Sequence, residues 1–311
     1  MTDYRPDRRH EPHINRLNAI KHPTNLLFNV IMLLFALACF LPLVIVFLIS
    51  ITDEASILRN GYQLIPEAYS LKAYEFLWNE RSLIINAFGM SVLVTVVGTV
   101  IGVLLTTMLG YVMSRPGYKL KGFLTWMVFI PMIFNGGMVA SYVINIQLLQ
   151  FKNGIHALIL PLLVSSFNVV IAKTFFRTTI PDSIVESAKI DGANQLLIFG
   201  KIVIPISKPV LATLGLFLSF GFWNDWFLSM LYINNQKLYT LQYLLQQIVM
   251  NVEFLAKNPG IGASLQQYQA SMPRESVRMA IAVVIVLPIA LAYPFFQKYF
   301  VSGLTIGAVK G

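Results

Sequence analysis

Six apolar stretches, at 26–51, 82–114, 123–149, 155–172, 210–233 and 279–299, take up most of the chain between shorter polar segments. A bilayer core about 30 Å thick is crossed by a helix of about 20 apolar residues. Each stretch approaches or exceeds that length. The runs are continuous and do not alternate as barrel strands would. Backbone groups in lipid must be satisfied within each run, so the pattern predicts helices. The first three runs hold no charged side chain. The third is interrupted by Pro131 and by Asn135, Gly136 and Gly137, which predict a break. The fourth is short, as expected of a span that is tilted or partly covered by protein. The fifth carries Asp225, the only acid inside a predicted span, and the sixth ends at Lys298.

Composition sharpens this picture. Only 12% of the residues are charged and 56% are hydrophobic, whereas soluble domains carry about 25% charged residues. So few charges cannot cover a water-exposed surface, which leaves lipid as the solvent and one membrane domain without a large soluble insert. The net charge of +9 is spread between the apolar runs and not gathered on one face, which argues against a nucleic-acid partner. If the N-terminal tail is inside, the same side receives 115–122, 173–208 and the C-terminus. That side then holds 15 of the 23 basic residues. The positive-inside rule therefore places both termini in the cytoplasm. The first run exceeds the roughly 7–15-residue apolar core of a signal peptide and lacks a small-x-small cleavage site, so it reads as a retained span. Cys39 is alone and can form no internal disulfide. The expected organisation is all-α and polytopic: a cytoplasmic tail at 1–25, a six-span domain at 26–299 and a cytoplasmic tail at 300–311.

Two connecting segments are longer than turns, the cytoplasmic 173–208 and the external 234–278, and such loops are usually functional or disordered. The cytoplasmic segment has strong local signals. Ser183 followed three residues later by Glu186 forms a capping-box pattern that starts a helix. Ile184, Val185 and Ala188 form an apolar strip at helical spacing. Gly192 can take a left-handed conformation and turn the chain. Leu196, Leu197 and Phe199 then form a second amphipathic segment that runs to Pro205 and Pro209. These features predict a helix–turn–helix on the cytoplasmic face, joined to the fifth span.

The same segment resembles the EAA loop of binding-protein-dependent ABC importer permeases, whose pattern is Glu-Ala-Ala, three residues, Gly, nine residues, Ile-x-Leu-Pro. This chain has Glu186, Ser187 and Ala188, then Gly192, then Ile202, Val203, Ile204 and Pro205. Every spacing fits, with Ser187 in place of Ala and Ile204 in place of Leu. Asp191, Gly192 and Ala193 have the form typical of the family's sugar importers. Trp223 and Asn224 in the fifth run, and the terminal sequence from Gly303 to Gly311, are similar to MalG-like permeases. The pattern from Asn25 to Gly311 looks closer still to the LplC/YtcP-like group of oligosaccharide or polysaccharide permeases.

The resemblance implies a type I ABC importer permease in the bacterial plasma (inner) membrane. It implies assembly with a second homologous permease, two cytoplasmic ATPase subunits and an extracytoplasmic sugar-binding protein. Glu186, Ser187, Ala188, Asp191, Gly192, Ala193, Ile202 and Pro205 would then form the coupling surface that docks on an ATPase. Thr305, Gly307, Val309 and Lys310 would reach the ATPases from the C-terminal tail. Asn258, Pro259, Gly260, Ile261 and Gly262 would form an external tip that contacts the binding protein.

The remaining residues add candidates and exclude other classes. Trp223, Asn224 and Asp225 are candidates for lining a translocation path, because an acid at membrane depth faces water or the bundle interior; the alternatives for Asp225 are a hydrogen bond to another helix or a place already in the outer interface. Gly98 and Gly102 form a Gly-x-x-x-Gly pair suited to close helix packing. Leu241, Leu244, Leu245, Ile248 and Val249 recur at helical spacing in the external segment. The four histidines lack metal-ligand spacing. A secondary transporter would show charged groups in several spans or an inverted repeat, and an intramembrane enzyme would show a catalytic constellation; the sequence has neither. It also lacks a Gly-x-x-x-x-Gly-Lys-Ser/Thr loop. No catalytic group or cofactor is therefore expected in this chain, and ATP with its Mg would belong to the partner ATPases.

Overall fold

The computed structural model describes residues 22–257 and 274–308. It is helical, with no named strand among the described residues and one isolated bridge between Thr52 and Tyr69. Helix α1, His22–Ser50, follows the first apolar run. Leu34, Phe35 and Phe40 on it are each more than 60% exposed, as apolar side chains facing lipid would be. Two short helices follow, α2 (Glu54–Asn60) and α3 (Lys72–Asn79). Asp53 caps α2 by accepting the Ala55 N–H at 3.0 Å.

Helix α4, Arg81–Ser114, is 34 residues long, about 50 Å at the α-helical rise. It packs mainly on α8 (Ser166–Thr179) and α11 (Lys208–Asn224). Glycines set those distances. A Cβ at Gly98 would lie 2.5 Å from the Phe222 ring, one at Gly102 2.9 Å from the Leu163 carbonyl, and one at Gly110 2.6 Å from the Ala172 methyl. The Gly98/Gly102 pair is thus a packing motif, and Gly110 extends the same device one helix further.

The third run breaks at residues 135–137, as its sequence predicts, but not at Pro131, which lies inside a helix. Helix α5 spans Lys121–Ile133, and α6, Gly137–Leu148, starts again after Asn135 and Gly136. Gly137 has φ +81°, and its N–H donates to Asn135 Oδ1 at 2.9 Å. The fourth run is also bent. Helix α7, Ile155–Leu162, meets α8 at 50°. The helix outlasts the apolar run, which ends at residue 172: α8 continues to Thr179, with Phe176 fully buried. A helix rigidly packed on α4 can carry its polar last turns beyond an apolar run, which hydropathy alone does not register.

Helix α9 is Asp182–Ile190 and α10 is Gln195–Ile206. The chain turns through 85° at Ser207 into α11. Pro209 sits in the first turn of α11, where its missing N–H is tolerated. The fifth run is interrupted after Asn224 and resumes as α12, Phe227–Tyr232. Helix α13, Leu241–Lys257, follows the helical spacing of its apolar residues: Leu241, Leu244 and Leu245 are buried, and Ile248 and Val249 pack against the core more loosely. The last helix, α14, runs Arg274–Ala308 and so extends past residue 299 into the segment read as a tail.

Glu54, remote in sequence, caps the start of α14. Its carboxylate accepts the backbone N–H groups of Glu275 and Ser276 at 3.0 and 3.2 Å and the Ser276 hydroxyl at 3.0 Å. Arg278 bridges Glu253 and Glu275, which ties α13 to α14. Tyr62 donates to Glu275 Oε2 at 2.8 Å, and this bond holds the phenol above its ordinary pKa. Among the described residues, two helices are long and apolar enough to cross a membrane, or up to four if each bent pair counts as one span.

Candidate functional site

The EAA-like residues fold into a hairpin of two helices, and the turn between them is fully specified by backbone chemistry. Gly192 has φ +82°. Its N–H bonds the Lys189 carbonyl at 3.0 Å, and the Ala193 N–H reaches the Ala188 carbonyl at 2.9 Å. This pair of bonds is a Schellman motif, which closes a helix C-terminus around a left-handed glycine. Asn194 then opens α10: its Oδ1 accepts the Leu197 N–H at 2.8 Å. Three residues thus satisfy one helix end and start the next.

The start of α9 differs from the predicted capping box. The helix begins at Asp182, with Pro181 at the N-cap and no side-chain cap bond. Ser183 is already inside the first turn, too far along to cap it, and Glu186 stays exposed. Glu186 is therefore free of a capping duty.

One face of the hairpin is built into the membrane domain. Val185 and Ala188 are buried in a cluster with Tyr111 of α4, Ala172 and Phe176 of α8, Ile198, Phe199 and Val203 of α10, and Val210 and Leu214 of α11. Tyr111 packs edge-on to Phe176 at 5.8 Å and tilted against Phe199 at 5.4 Å. The predicted strips are partly corrected. Ile184, Leu196 and Leu197 are exposed, whereas Ile198 is fully buried. Leu196 and Leu197 lie in the first turn of α10, next to the exposed Gly192 turn, and the buried face begins only at Ile198.

The other face stands free in this chain. Glu186, Ser187, Asp191, Gly192 and Pro205 are exposed; Ala193 and Ile202 are half-buried. Ile190 and Leu196, on either side of the turn, are 86% and 73% exposed. Beside α9 lies a cavity of about 570 Å³ between the end of α4 and the hairpin, lined by Arg115, Tyr118, Asp182, Glu186, Lys189 and Gln195 among others. Sequence reasoning passed over Arg115. It pairs with Asp182 at 2.9 Å and donates to the Phe176 carbonyl at 2.9 Å. A basic residue just after an apolar run reads as an interfacial anchor, and nothing local to it announces partners over 60 residues away.

The other candidate residues do not converge. Trp223 is buried, edge-on to Phe88 at 5.9 Å. Asn224 is exposed; its Nδ2 donates to the Phe220 carbonyl at 2.9 Å. The Asp225 carboxylate accepts the Leu228 N–H at 3.0 Å and so caps the restart at α12. Thr305 and Gly307 lie on the backbone of α14. Val309 and Lys310, and the tip formed by Asn258, Pro259, Gly260, Ile261 and Gly262, lie outside the described residues.

Comparison with known proteins agrees with this geometry. The family model described as binding-protein-dependent transport system inner membrane component matches residues 98–306, which include the whole hairpin. The chain is 36% identical over 282 residues to the polygalacturonan/rhamnogalacturonan transport system permease protein YtcP of Bacillus subtilis, covering 90% of this chain and 96% of that protein. It is 35% identical over 271 residues to the protein LplC of the same organism, covering 87% and 89%. A chain of a bacterial ABC transporter involved in the import of the acidic polysaccharide alginate shares the fold: TM-score 0.75, 24% identity, 94% of this chain and 99% of that chain covered. With the family pattern spanning most of its length and the hairpin at its centre, the chain belongs to the binding-protein-dependent transport system inner membrane component family.

Proposed function

We propose that this chain is one of two homologous permease subunits of a bacterial ABC importer for an oligosaccharide, and that its hairpin α9–α10 couples ATP hydrolysis in partner subunits to movement of the membrane helices. Six spans would carry it through the plasma membrane with both termini in the cytoplasm: α1, α4, the broken pair α5 and α6, the bent pair α7 and α8, α11 continued by α12, and α14. ATP and Mg would be held by two ATPase subunits. An extracytoplasmic binding protein would deliver the sugar near 234–278, and the end of the chain from Thr305 to Lys310 would approach the ATPases. Trp223, Asn224 and Asp225 would border the path at the α11–α12 break.

The single observation that carries this reading is the two-sidedness of the hairpin. Its inner face is locked to α4, α8 and α11 by fully buried side chains. Its outer face presents Ile190 and Leu196 almost bare beside charged Glu186, Lys189 and Asp191. Such exposed apolar side chains with a charged rim suit a protein partner. A short helix fixed at one face transmits displacement where a loose loop would absorb it. The sugar assignment follows the named transport roles of the relatives.

Purification of the chain in mild detergent from its native host tests the proposal. A second permease and an ATPase subunit should co-purify, and the complex in proteoliposomes should take up labelled oligogalacturonide on addition of ATP and a binding protein. Transport by the purified chain alone, or recovery without any ATPase subunit, would overturn it.

A further inference from the structure

We propose that Arg115 is the positioning residue that locks α9 to the membrane domain, so that a push on α9 reaches α4 and α8 together; this rests on the coupling role proposed above. Arg115 is the C-cap of α4. Its side chain is 13% exposed. A guanidinium offers five N–H donors in a planar fork, and five hydrogen bonds leave this one. Nε donates to Ser114 Oγ at 3.0 Å, Nη1 to Asp182 Oδ1 at 2.9 Å and to the Ile180 carbonyl at 3.4 Å, and Nη2 to the Phe176 carbonyl at 2.9 Å and again to Ile180 at 3.4 Å. The Tyr111 ring lies 5.2 Å from Cζ.

The placement has an electrostatic reason. The last carbonyls of α8 carry the negative end of its dipole, and Asp182 is an acid in the first turn of α9. The cation sits between them. It also has a mechanical consequence. Helices α8 and α9 are joined through Ile180 and Pro181, both in extended backbone at ψ 101° and 143°. A joint of this kind is a hinge, about which α9 could swing without moving α8. Arg115 comes from a third element and grips the last carbonyls before the hinge and the first acid after it. Helix α9 cannot rotate there without breaking charge-assisted bonds. Lysine carries the same charge, but its three donors radiate from one nitrogen and cannot span the hinge. An interfacial anchor, by contrast, would accept lysine.

The test uses the assembled transporter in proteoliposomes with Arg115→Lys and, separately, Asp182→Asn. Two quantities are read: labelled oligogalacturonide taken up per ATP hydrolysed, and amide hydrogen exchange across 182–190. Arg115→Lys should keep ATP hydrolysis, lower uptake per ATP roughly tenfold and accelerate exchange, as loss of charge-assisted bonds requires. Asp182→Asn should lower the ratio about threefold, because the carbonyl contacts remain. Wild-type ratio and exchange in Arg115→Lys would reduce Arg115 to an anchor and overturn the inference. Should Arg115→Lys fail to assemble, unchanged ratio and exchange in Asp182→Asn would overturn it. Absence of uptake by the wild-type complex would sink the sugar reading separately, and exchange across 182–190 would then decide the role of Arg115.

Discussion

Gly192 occupies φ +82° with open space around any added Cβ. A substitution there is therefore judged by backbone strain alone, without a clash to confuse it. Left-handed backbone costs a β-branched residue roughly 1–2 kcal/mol, while asparagine tolerates it. Gly192→Val should therefore open the turn between α9 and α10 and lower uptake per ATP hydrolysed in proteoliposomes, and Gly192→Asn should stay near wild type. Equal behaviour of the two variants would show that the left-handed turn is not what the hairpin needs. Ala193 and Ala188 complete the same turn through a main-chain bond and Asn194 opens the next helix through its side chain, so the geometry is set by a few residues adjacent in sequence.

At the scale of elements, close helix contacts depend on missing side chains. Gly110 faces the Ala172 methyl and the Lys173 backbone, neither of which can retreat. Gly110→Ala should push α4 from α8 and destabilise the chain by about 1–3 kcal/mol, the usual range for overpacking. A lowered midpoint of thermal unfolding in detergent would register it. Gly122→Ala on α5, with nothing near its added Cβ, serves as the neutral control. Glu54 caps α14 from outside that helix. Glu54→Ala should free the amides of Glu275 and Ser276 and cost roughly 0.5–2 kcal/mol. Faster hydrogen exchange at those two amides, with the α4–α8 contact unchanged, is the expected result.

Among the described residues α4 is the packing centre for α8 and α11, while α1 packs on α14. Helix α4 meets α8 and α11 through glycines and ends at Arg115, which braces α9. The α9–α10 hairpin is thus joined to the bundle by apolar burial at Val185 and Ala188 and by the ionic clamp at Asp182. These two attachments differ in character. Burial near the hairpin is untouched by charge screening, whereas the ion pair is partly exposed on the Asp182 side and weakens as salt screens it. Helix α1 and helices α5 and α6 carry many exposed apolar side chains, as lipid-facing surfaces would.

Much of this was legible in the sequence, because the signals were local. Run length gave the long helices; Asn135 to Gly137 gave the break between α5 and α6, whereas Pro131 stays inside α5; Gly192 gave the left-handed turn; the spacing from Leu241 to Val249 gave α13. The motif from Glu186 to Pro205 marked the hairpin, since a turn and its two helices need only neighbouring residues to specify them. Tertiary structure decided what depends on distant partners. It carried α8 past its apolar run to Thr179, because packing on α4 supports the polar last turns. It withdrew the capping role from Ser183 and Glu186 by starting α9 at Asp182, where Arg115 could reach it. Hydropathy records how much each residue avoids water; which carbonyl a guanidinium finds across 60 positions of chain is settled only when the helices pack.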